Sequence, residues 1–235
     1  MNSVKYSYKI FYDLDLDVWN WVDGSHIKSH GKAWRDNLRD ENDKALFDLV
    51  AKMAPKDAEK YLYKELPLRY KSNVEYYNKR QQRIDEVFSA KFDKACNKLI
   101  EITGKHLYYQ DYTIKLTTFP KGPYNFDEGF FGYYYDNPNP LAKTFMHEVL
   151  HFQFIAYWGN NPKSSVSKLS QEQFHFLNES LTVVLDDDLR SIIGSADQGY
   201  DLHKPFREIL HEHWAKYHDF DKLVDFGLDD LEKFI

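Results

Sequence analysis

The sequence is poor in cysteine and in long apolar runs. Its single cysteine, Cys96, excludes an intramolecular disulfide framework. No stretch approaches the roughly 20 apolar residues of a membrane-spanning helix, and the first residues lack the apolar segment of a signal peptide. We therefore expect a cytoplasmic protein with no membrane association.

The sequence also lacks an excess of positive charge. The formal net charge is −6 and the isoelectric point is near 5.9, with lysines and arginines interleaved among acids. Nucleic-acid binding needs clustered cations, so we expect no nucleic-acid partner. Aromatic residues, by contrast, make up 17% of a chain that is 43% hydrophobic, a composition typical of a globular protein whose core contains many large rings.

Hydrophobic periodicity predicts more helix than strand. The predicted strands are residues 6–12, 112–119 and 129–135, and the main predicted helices are residues 71–103, 141–158, 170–193 and 205–217. The predicted fold class is α+β, predominantly helical, with a small antiparallel sheet. We expect a mainly helical part, residues 1–105, packed on a catalytic region, residues 106–235.

The predicted helix 141–158 contains an HExxH motif formed by His147, Glu148 and His151. Histidines at positions i and i+4 share one helical face, so both imidazoles can reach one ion, and Glu148 can polarise a metal-bound water. Two imidazoles in so apolar a helix need partners to offset their desolvation. Core histidines bonded to carbonyls or carboxylates are the alternative, which explains neither the glutamate nor the spacing. The motif predicts Zn²⁺ as the cofactor.

A catalytic zinc also takes a third protein ligand. Phe154 and Tyr157 stand where the metzincin motif has Gly and His, so that form is absent. Farther along, Asn178 and Glu179 lie on the next predicted helix. Here the sequence resembles the gluzincin metallopeptidases, in which a liganding Glu, often after Asn, follows HExxH on a later helix. The resemblance implies a zincin-like catalytic region with Glu179 as third ligand.

The resemblance rests on two short motifs and covers residues 112–190. It departs from the thermolysin-like pattern at Val183, where an Asp orients a ligand histidine, so the support of the histidines stays unassigned. Asp197 is a rival ligand, because residues 194–200 are similar to the GTxDxxY segment of the aspzincins, although much farther from HExxH than in that family. A peptide deformylase is disfavoured, since Cys96 lies outside the Gly-Cys-Leu context of those enzymes.

Other site residues follow from the same resemblance. Zincin peptidases commonly bind an extended substrate along an edge strand just before the metal helix, the place of residues 129–135, although an ordinary core strand fits equally well. Gluzincins place a Tyr or His after the third ligand to stabilise the oxyanion, and Tyr200, His203 and His213 are candidates. His213 falls on an inward apolar stripe, so it can also be a core residue.

The sequence thus predicts a zinc-dependent metallopeptidase acting on a peptide or protein substrate. Zinc activates a water, and Glu148 takes the water proton as general base and passes it to the leaving amine. Two alternatives stay open, a zinc hydrolase of a non-peptide amide and a non-catalytic zincin-like binding module. The intact Glu148 speaks against the second, since a closed structural site has no use for a general base.

Overall fold

The computed structural model describes residues 4–27, 34–186 and 189–235. Helices dominate and are accompanied by one four-stranded sheet, so the predicted α+β class is confirmed. The strands are β1 (Ser7–Tyr12), β2 (Asp111–Thr117), β3 (Tyr124–Asn125) and β4 (Phe130–Tyr134). The helices are α1 (Leu14–His26), α2 (Glu41–Val50), α3 (Pro55–Ser72), α4 (Val74–Thr103), α5 (Leu141–Phe154), α6 (Gln171–Leu181), α7 (Arg190–Ile193), α8 (Lys204–Tyr217) and α9 (Phe220–Asp230).

The chain forms two compact units that interleave along the sequence. The sheet unit comprises Ser7–Val87 and Asp111–Pro138, and the helical unit comprises residues 4–6, Phe88–Gln110 and Asn139–Ile235. Helix α4 contributes residues to both units. The sequence predicts a different division, a mainly helical part up to residue 105 and a catalytic region after it. Because that division is defined by catalytic function, it stays a prediction.

The sheet has the order β1-β2-β4-β3 and is mixed. Strand β2 pairs in parallel with both β1 and β4, and only the two-residue β3 pairs antiparallel to β4. The prediction of an antiparallel sheet was therefore wrong. The physical reason is connectivity, because four helices separate β1 from β2 and such a crossover brings strands together in parallel.

Strand β4 is an internal strand, whereas the sequence predicted an edge at this place. It lies between β2 and β3, and all five of its residues are buried. Uniform burial is typical of a strand that is covered on both faces. Elsewhere in the sheet unit, α1 packs closely with α3. The buried core there contains Val18, Trp21, Leu38, Leu46, Val50, Ala58, Leu62, Leu66 and Phe119.

The helical unit is built around α5, whose exposed surface is small on all sides. The ring of Phe145 packs on Phe88 and Phe92 of α4, with centroid distances of 5.2 and 5.4 Å. Helix α5 begins directly after Pro140, which leaves the preceding breaker segment non-helical, and it continues into one π-helical turn, Ile155–Gly159. Residues 141–154 therefore form one uninterrupted α-helix.

The predicted helix over residues 170–193 is in fact interrupted. Helix α6 ends at Leu181 and passes into a 3₁₀ turn, Thr182–Val184, and a separate short helix begins at Arg190. Three successive β-branched residues disfavour helix continuation, and the Thr182 hydroxyl donates to the carbonyl of Glu179 at 2.8 Å. Residues 187 and 188 lie outside the described residues. None of the helices described is both long and apolar enough to cross a bilayer.

Candidate metal centre

Helix α5 places the side chains of His147 and His151 on one face, one turn apart. Their Nε2 atoms are 3.0 Å from each other, and the ring centroids are 4.5 Å apart. His151 is almost completely buried, and His147 retains 19% side-chain exposure. Two ring nitrogens therefore converge on one point at the boundary between the core and solvent.

Helix α6 brings a carboxylate to the same point. The helix begins with a capping box in which the Ser170 hydroxyl accepts from the Gln173 backbone and the Gln173 side chain accepts from the Ser170 backbone. Two turns later, Glu179 is 6% exposed. Its Oε1 lies 3.5 Å from Nε2 of His151, and its Oε2 lies 3.7 Å from Nε2 of His147.

The three donor groups fit a single metal ion. Zinc–nitrogen and zinc–oxygen bonds of about 2.0–2.1 Å in a tetrahedron place neighbouring ligand atoms about 3.3 Å apart. The two Nε2 atoms are 3.0 Å apart, and each lies 3.5 or 3.7 Å from a different oxygen of Glu179, so all three separations are close to that value. Among the residues that the structure describes, His147, His151 and Glu179 are the group of three or more His, Cys, Asp and Glu side chains that could hold a metal ion.

Asp197 contacts the opposite nitrogen of His147. Its Oδ2 lies 2.7 Å from Nδ1, so the carboxylate holds the proton on Nδ1 and leaves Nε2 as the ligand atom. The loop around Asp197 is fixed in turn, because its backbone N–H donates to the Leu185 carbonyl at 2.7 Å and its Oδ1 accepts from Gly199 N at 2.9 Å. The geometry favours Glu179 over Asp197 as the third ligand. Asp197 supplies the histidine support that the sequence left unassigned at Val183.

Glu148 lies beside the two histidines on α5. It is 8% exposed, and its buried Oε2 has no hydrogen-bond partner among the described residues. Consecutive residues of a helix project about 100° apart, so Glu148 points away from the direction of His147. Burial raises the pKa of Glu148, although the nearby charges of His147 and His151 oppose that change. A buried carboxylate oxygen without a donor is costly, and a water in the site can relieve it.

The ionisable groups of the cluster change one another's pKa values. Burial alone would lower the pKa of His147, but the negative charges of Asp197, Glu148 and Glu179 raise it to about 10. Burial alone would raise the pKa of Glu179, but the charges of His151 and His147 hold it well below its usual range. Asp197 behaves in the same way, with His147 as the main partner that lowers its pKa. Without a cation, the cluster therefore retains a proton on His147.

The three candidate oxyanion donors lie in different surroundings. Burial and then the charges of Glu179, Glu148 and Asp197 raise the pKa of Tyr200, so this phenol belongs to the electrostatic environment of the cluster. The buried His203 ring is 5.9 Å from the Tyr200 ring and 4.7 Å from the Phe176 ring. The charges of the cluster thus act on the Tyr200 phenol, and the His203 ring packs edge-on against Tyr200 and Phe176.

His213 lies elsewhere in the helical unit. Its ring stacks on Phe226 of α9 with a centroid distance of 4.4 Å and contacts Tyr217 of α8. Burial and then the charges of Lys216 and Lys222 lower the pKa of His213, and no metal-centre residue contributes. The ring of His213 therefore packs between α8 and α9, as the apolar stripe predicts for a core residue, and it is not part of the metal centre.

Sequence reasoning did not identify Arg207 as part of the site. This residue of α8 is 5% exposed, and its Nη2 donates to the backbone carbonyl of Asp197 at 2.5 Å. The one sequence signal that could have indicated a buried charge is the position of Arg207 next to Phe206 and three residues before Leu210, both on the apolar stripe of an amphipathic helix.

Comparison of the chain with protein-family models, with curated proteins and with solved structures gave no match. The resemblance to gluzincins therefore remains a resemblance of short motifs. What the structure adds to those motifs is the cluster of His147, His151 and Glu179, which could bind a metal ion.

Proposed function

We propose that the protein is a zinc-dependent hydrolase that cleaves peptide bonds at the cluster of His147, His151 and Glu179. The observation that carries the proposal is the convergence of two Nε2 atoms and one carboxylate beside the unpartnered Oε2 of Glu148. A purely structural zinc site closes its fourth position with another protein ligand. Here three protein ligands and an adjacent base leave a position for water, as in catalytic zinc sites.

The chemistry of the donors favours zinc. Two imidazole nitrogens and one carboxylate oxygen are typical ligands of catalytic zinc, whereas magnesium and calcium prefer oxygen donors. The charges agree with a divalent ion when both imidazoles are neutral. The carboxylates of Glu148 and Glu179, which are buried, and of Asp197, whose side chain is 9% exposed, supply three negative charges, and Arg207 supplies one positive charge. Two negative charges are then left for the ion to balance.

Each protein group has a distinct task in the proposed reaction. Bound zinc supplies a Lewis acid that makes water more acidic and polarises a carbonyl. Oε2 of Glu148 accepts the proton of the attacking water and delivers it to the leaving amine. Asp197 holds His147 in the tautomer that presents Nε2. The hydroxyl of Tyr200, whose raised pKa keeps it protonated at neutral pH, donates a hydrogen bond to the developing oxyanion.

The first test is a metal analysis of the purified protein after zinc repletion and removal of free metal. We expect about one zinc per chain, as three protein ligands at one point predict. The second test is digestion of a peptide library with mass-spectrometric readout, with and without a chelator, and with zinc restored afterwards. Cleavage that disappears with chelation and returns with zinc supports the proposal, and a metal content near zero contradicts it.

A parallel digest uses small amides of single amino acids and of aliphatic acids in place of peptides. Zinc-dependent turnover of these compounds without peptide cleavage would replace the peptidase assignment with a hydrolase of non-peptide amides. Zinc binding without turnover of either class would favour a binding module instead. A Glu179→Gln variant should lose zinc in the metal analysis. Its matched control is Glu172→Gln, because Glu172 is an exposed carboxylate on the same helix, α6.

A further inference from the structure

The side chain of Arg207 joins the two segments that carry Glu179 and Asp197. Its Nη1 lies 3.1 Å from the Glu179 carbonyl, 3.3 Å from the Ser180 carbonyl and 2.5 Å from the Thr182 hydroxyl. Its Nη2 donates to the Asp197 carbonyl at 2.5 Å and lies 3.9 Å from the Asp197 carboxylate. One planar group therefore spans the end of α6 and the loop after α7.

The guanidinium adds to hydrogen bonds that each segment makes separately, from the Thr182 hydroxyl to the Glu179 carbonyl and from the Asp197 backbone N–H to the Leu185 carbonyl. The last four carbonyls of an α-helix have no acceptor role within the helix, and those of Glu179 and Ser180 are at the end of α6. The Asp197 loop has no regular secondary structure of its own. The chain also makes room for the guanidinium at Gly199, where φ is +61° and a Cβ would lie 2.8 Å from Nε of Arg207.

We propose that Arg207 is a positioning residue of the metal centre. By holding the Glu179 backbone and the Asp197 loop at a fixed separation, it sets the direction of the Glu179 carboxylate and of the His147 ring that Asp197 supports. The proposal rests on the metal site proposed above, but it does not depend on which bond the protein cleaves. A residue that merely stabilises the fold would leave the geometry of bound metal unchanged.

Substitution by lysine separates geometry from charge. The Arg207→Lys variant keeps the positive charge, but an ammonium group cannot reproduce the planar fork that reaches both segments. Arg69→Lys is the matched control, because Arg69 makes a comparable fork to Glu65 at 2.8 Å and Asp43 at 3.3 Å in the sheet unit. If Arg207 positions the ligands, the two substitutions affect metal binding differently.

The experiment measures zinc affinity by competition with a chromophoric chelator, and the visible absorption spectrum of the Co²⁺-loaded protein. Cobalt serves as the probe because its d–d bands respond to ligand geometry. We expect Arg207→Lys to weaken zinc binding by roughly 10- to 100-fold, as for other residues that orient ligands, and to change the cobalt spectrum. Arg69→Lys stays within about twofold of wild type, because the hydrogen bonds of Arg69 go to Glu65, Asn42 and Asp43 and share no partner with those of Arg207.

The outcomes are separable. If wild type itself binds no zinc, the proposed metal centre fails. If wild type binds zinc and Arg207→Lys matches it in affinity and spectrum, the role of Arg207 is refuted and the centre stands. Should Arg207→Lys fail to fold, Thr182→Val decides, because at nearly constant volume it removes the hydroxyl through which Nη1 is linked to the Glu179 carbonyl. We expect weaker zinc binding and an altered spectrum there too, and unchanged values would overturn the proposal.

Discussion

In the sheet unit, the carboxylate of Asp17 is fully buried and accepts from three neutral donors, the Thr118 backbone, the Thr118 hydroxyl and the Tyr12 hydroxyl. In the helical unit, the buried carboxylates of Glu179 and Asp197 lie against histidines, and Glu148 has an oxygen without a donor. Buried carboxylates thus have neutral hydrogen-bond donors in one unit, and histidine partners or an oxygen without a donor in the other.

The two groups of carboxylates differ in the residues that contact them. Three neutral donors satisfy Asp17, yet burial still raises its pKa to about 7. In the helical unit, ionisable partners hold the pKa of Glu179 and of Asp197 below the usual range despite burial. Strong perturbation by burial together with a charged partner is characteristic of functional sites, whereas a satisfied buried carboxylate organises structure. The predictions below test carboxylates of both groups.

The largest effect is expected for the third ligand. Asp197→Ala leaves all three ligands in place and removes only the support of His147, which costs roughly 10- to 100-fold in zinc affinity. Glu179→Ala removes a ligand and should weaken zinc binding further than that range. Chelator competition measures both affinities, and circular dichroism checks the fold. If Asp197→Ala loses more affinity than Glu179→Ala, Asp197 is the ligand and the aspzincin-like alternative replaces ours.

The next effect concerns Glu148. Glu148→Gln preserves size and helical propensity but removes the proton acceptor, so we expect hydrolysis to slow by roughly 10²- to 10⁴-fold with zinc retained. Asp17→Asn, the buried carboxylate of the other unit, should leave the rate per folded molecule unchanged. Steady-state rates on a peptide that wild type cleaves measure both. Wild-type activity in zinc-loaded Glu148→Gln refutes the base, and loss of zinc in that variant means Glu148 is a ligand.

Asp17 makes a prediction about stability. A carboxyl group whose pKa is raised on folding, here from 3.8 to about 7, binds its proton more tightly in the folded state. Its contribution is therefore fully present below pH 3.8 and is lost as the pH rises through about 7. One pKa unit corresponds to about 1.4 kcal/mol, so wild type should lose up to about 4 kcal/mol over this range from this group.

The measurement is urea unfolding of wild type and Asp17→Asn at several pH values between the two limits. Asparagine does not titrate, so the difference in unfolding free energy between the two proteins should change with pH. The unfolding free energy of wild type should fall relative to that of Asp17→Asn as the pH rises. A difference that is constant with pH would mean that Asp17 titrates near its ordinary value, and that its three donors outweigh burial.

Sequence periodicity predicted which site residues lie together on one helix. It did not predict contacts between site residues on different elements. The spacing of His147 and His151 fixes their common face once residues 141–154 are helical, because helical period alone relates them. The resemblance to gluzincins added Glu179, which the structure brings to the same point. Periodicity carries no information on where a loop meets a helix, so the contact of Asp197 with His147, 50 positions earlier, was not predictable.

The sheet and His213 show the same limit of sequence patterns, which do not predict contacts between elements. Alternation predicted β2 and aromatic composition predicted β4, but the direction of pairing depends on the path of the intervening chain, and the predicted antiparallel sheet is mixed. The apolar stripe of α8 correctly indicated that His213 faces inward. It did not say against which element, and the ring packs on Phe226 of α9, apart from the charges of the metal centre.

The smallest expected effect is the release of a proton when zinc binds. In the metal-free protein, the charges of Asp197, Glu148 and Glu179 outweigh burial and raise the pKa of His147 to about 10, so the ring is protonated at neutral pH. Zinc needs the lone pair of Nε2, and binding therefore displaces about one proton per ion near pH 7. Below the raised pKa, zinc affinity should rise about tenfold per pH unit.

Isothermal titration calorimetry in buffers with different ionisation enthalpies counts that proton, because the observed enthalpy varies linearly with the buffer enthalpy and the slope is the number released. In Asp197→Asn, His147 loses the charge that raises its pKa most, so the number released at the same pH should fall. Asp17→Asn is the control, since Asp17 is not among the groups that act on His147, and its slope should equal that of wild type. A slope near zero in wild type would show that His147 is already neutral before zinc binds and that the cluster releases no proton, which contradicts the prediction.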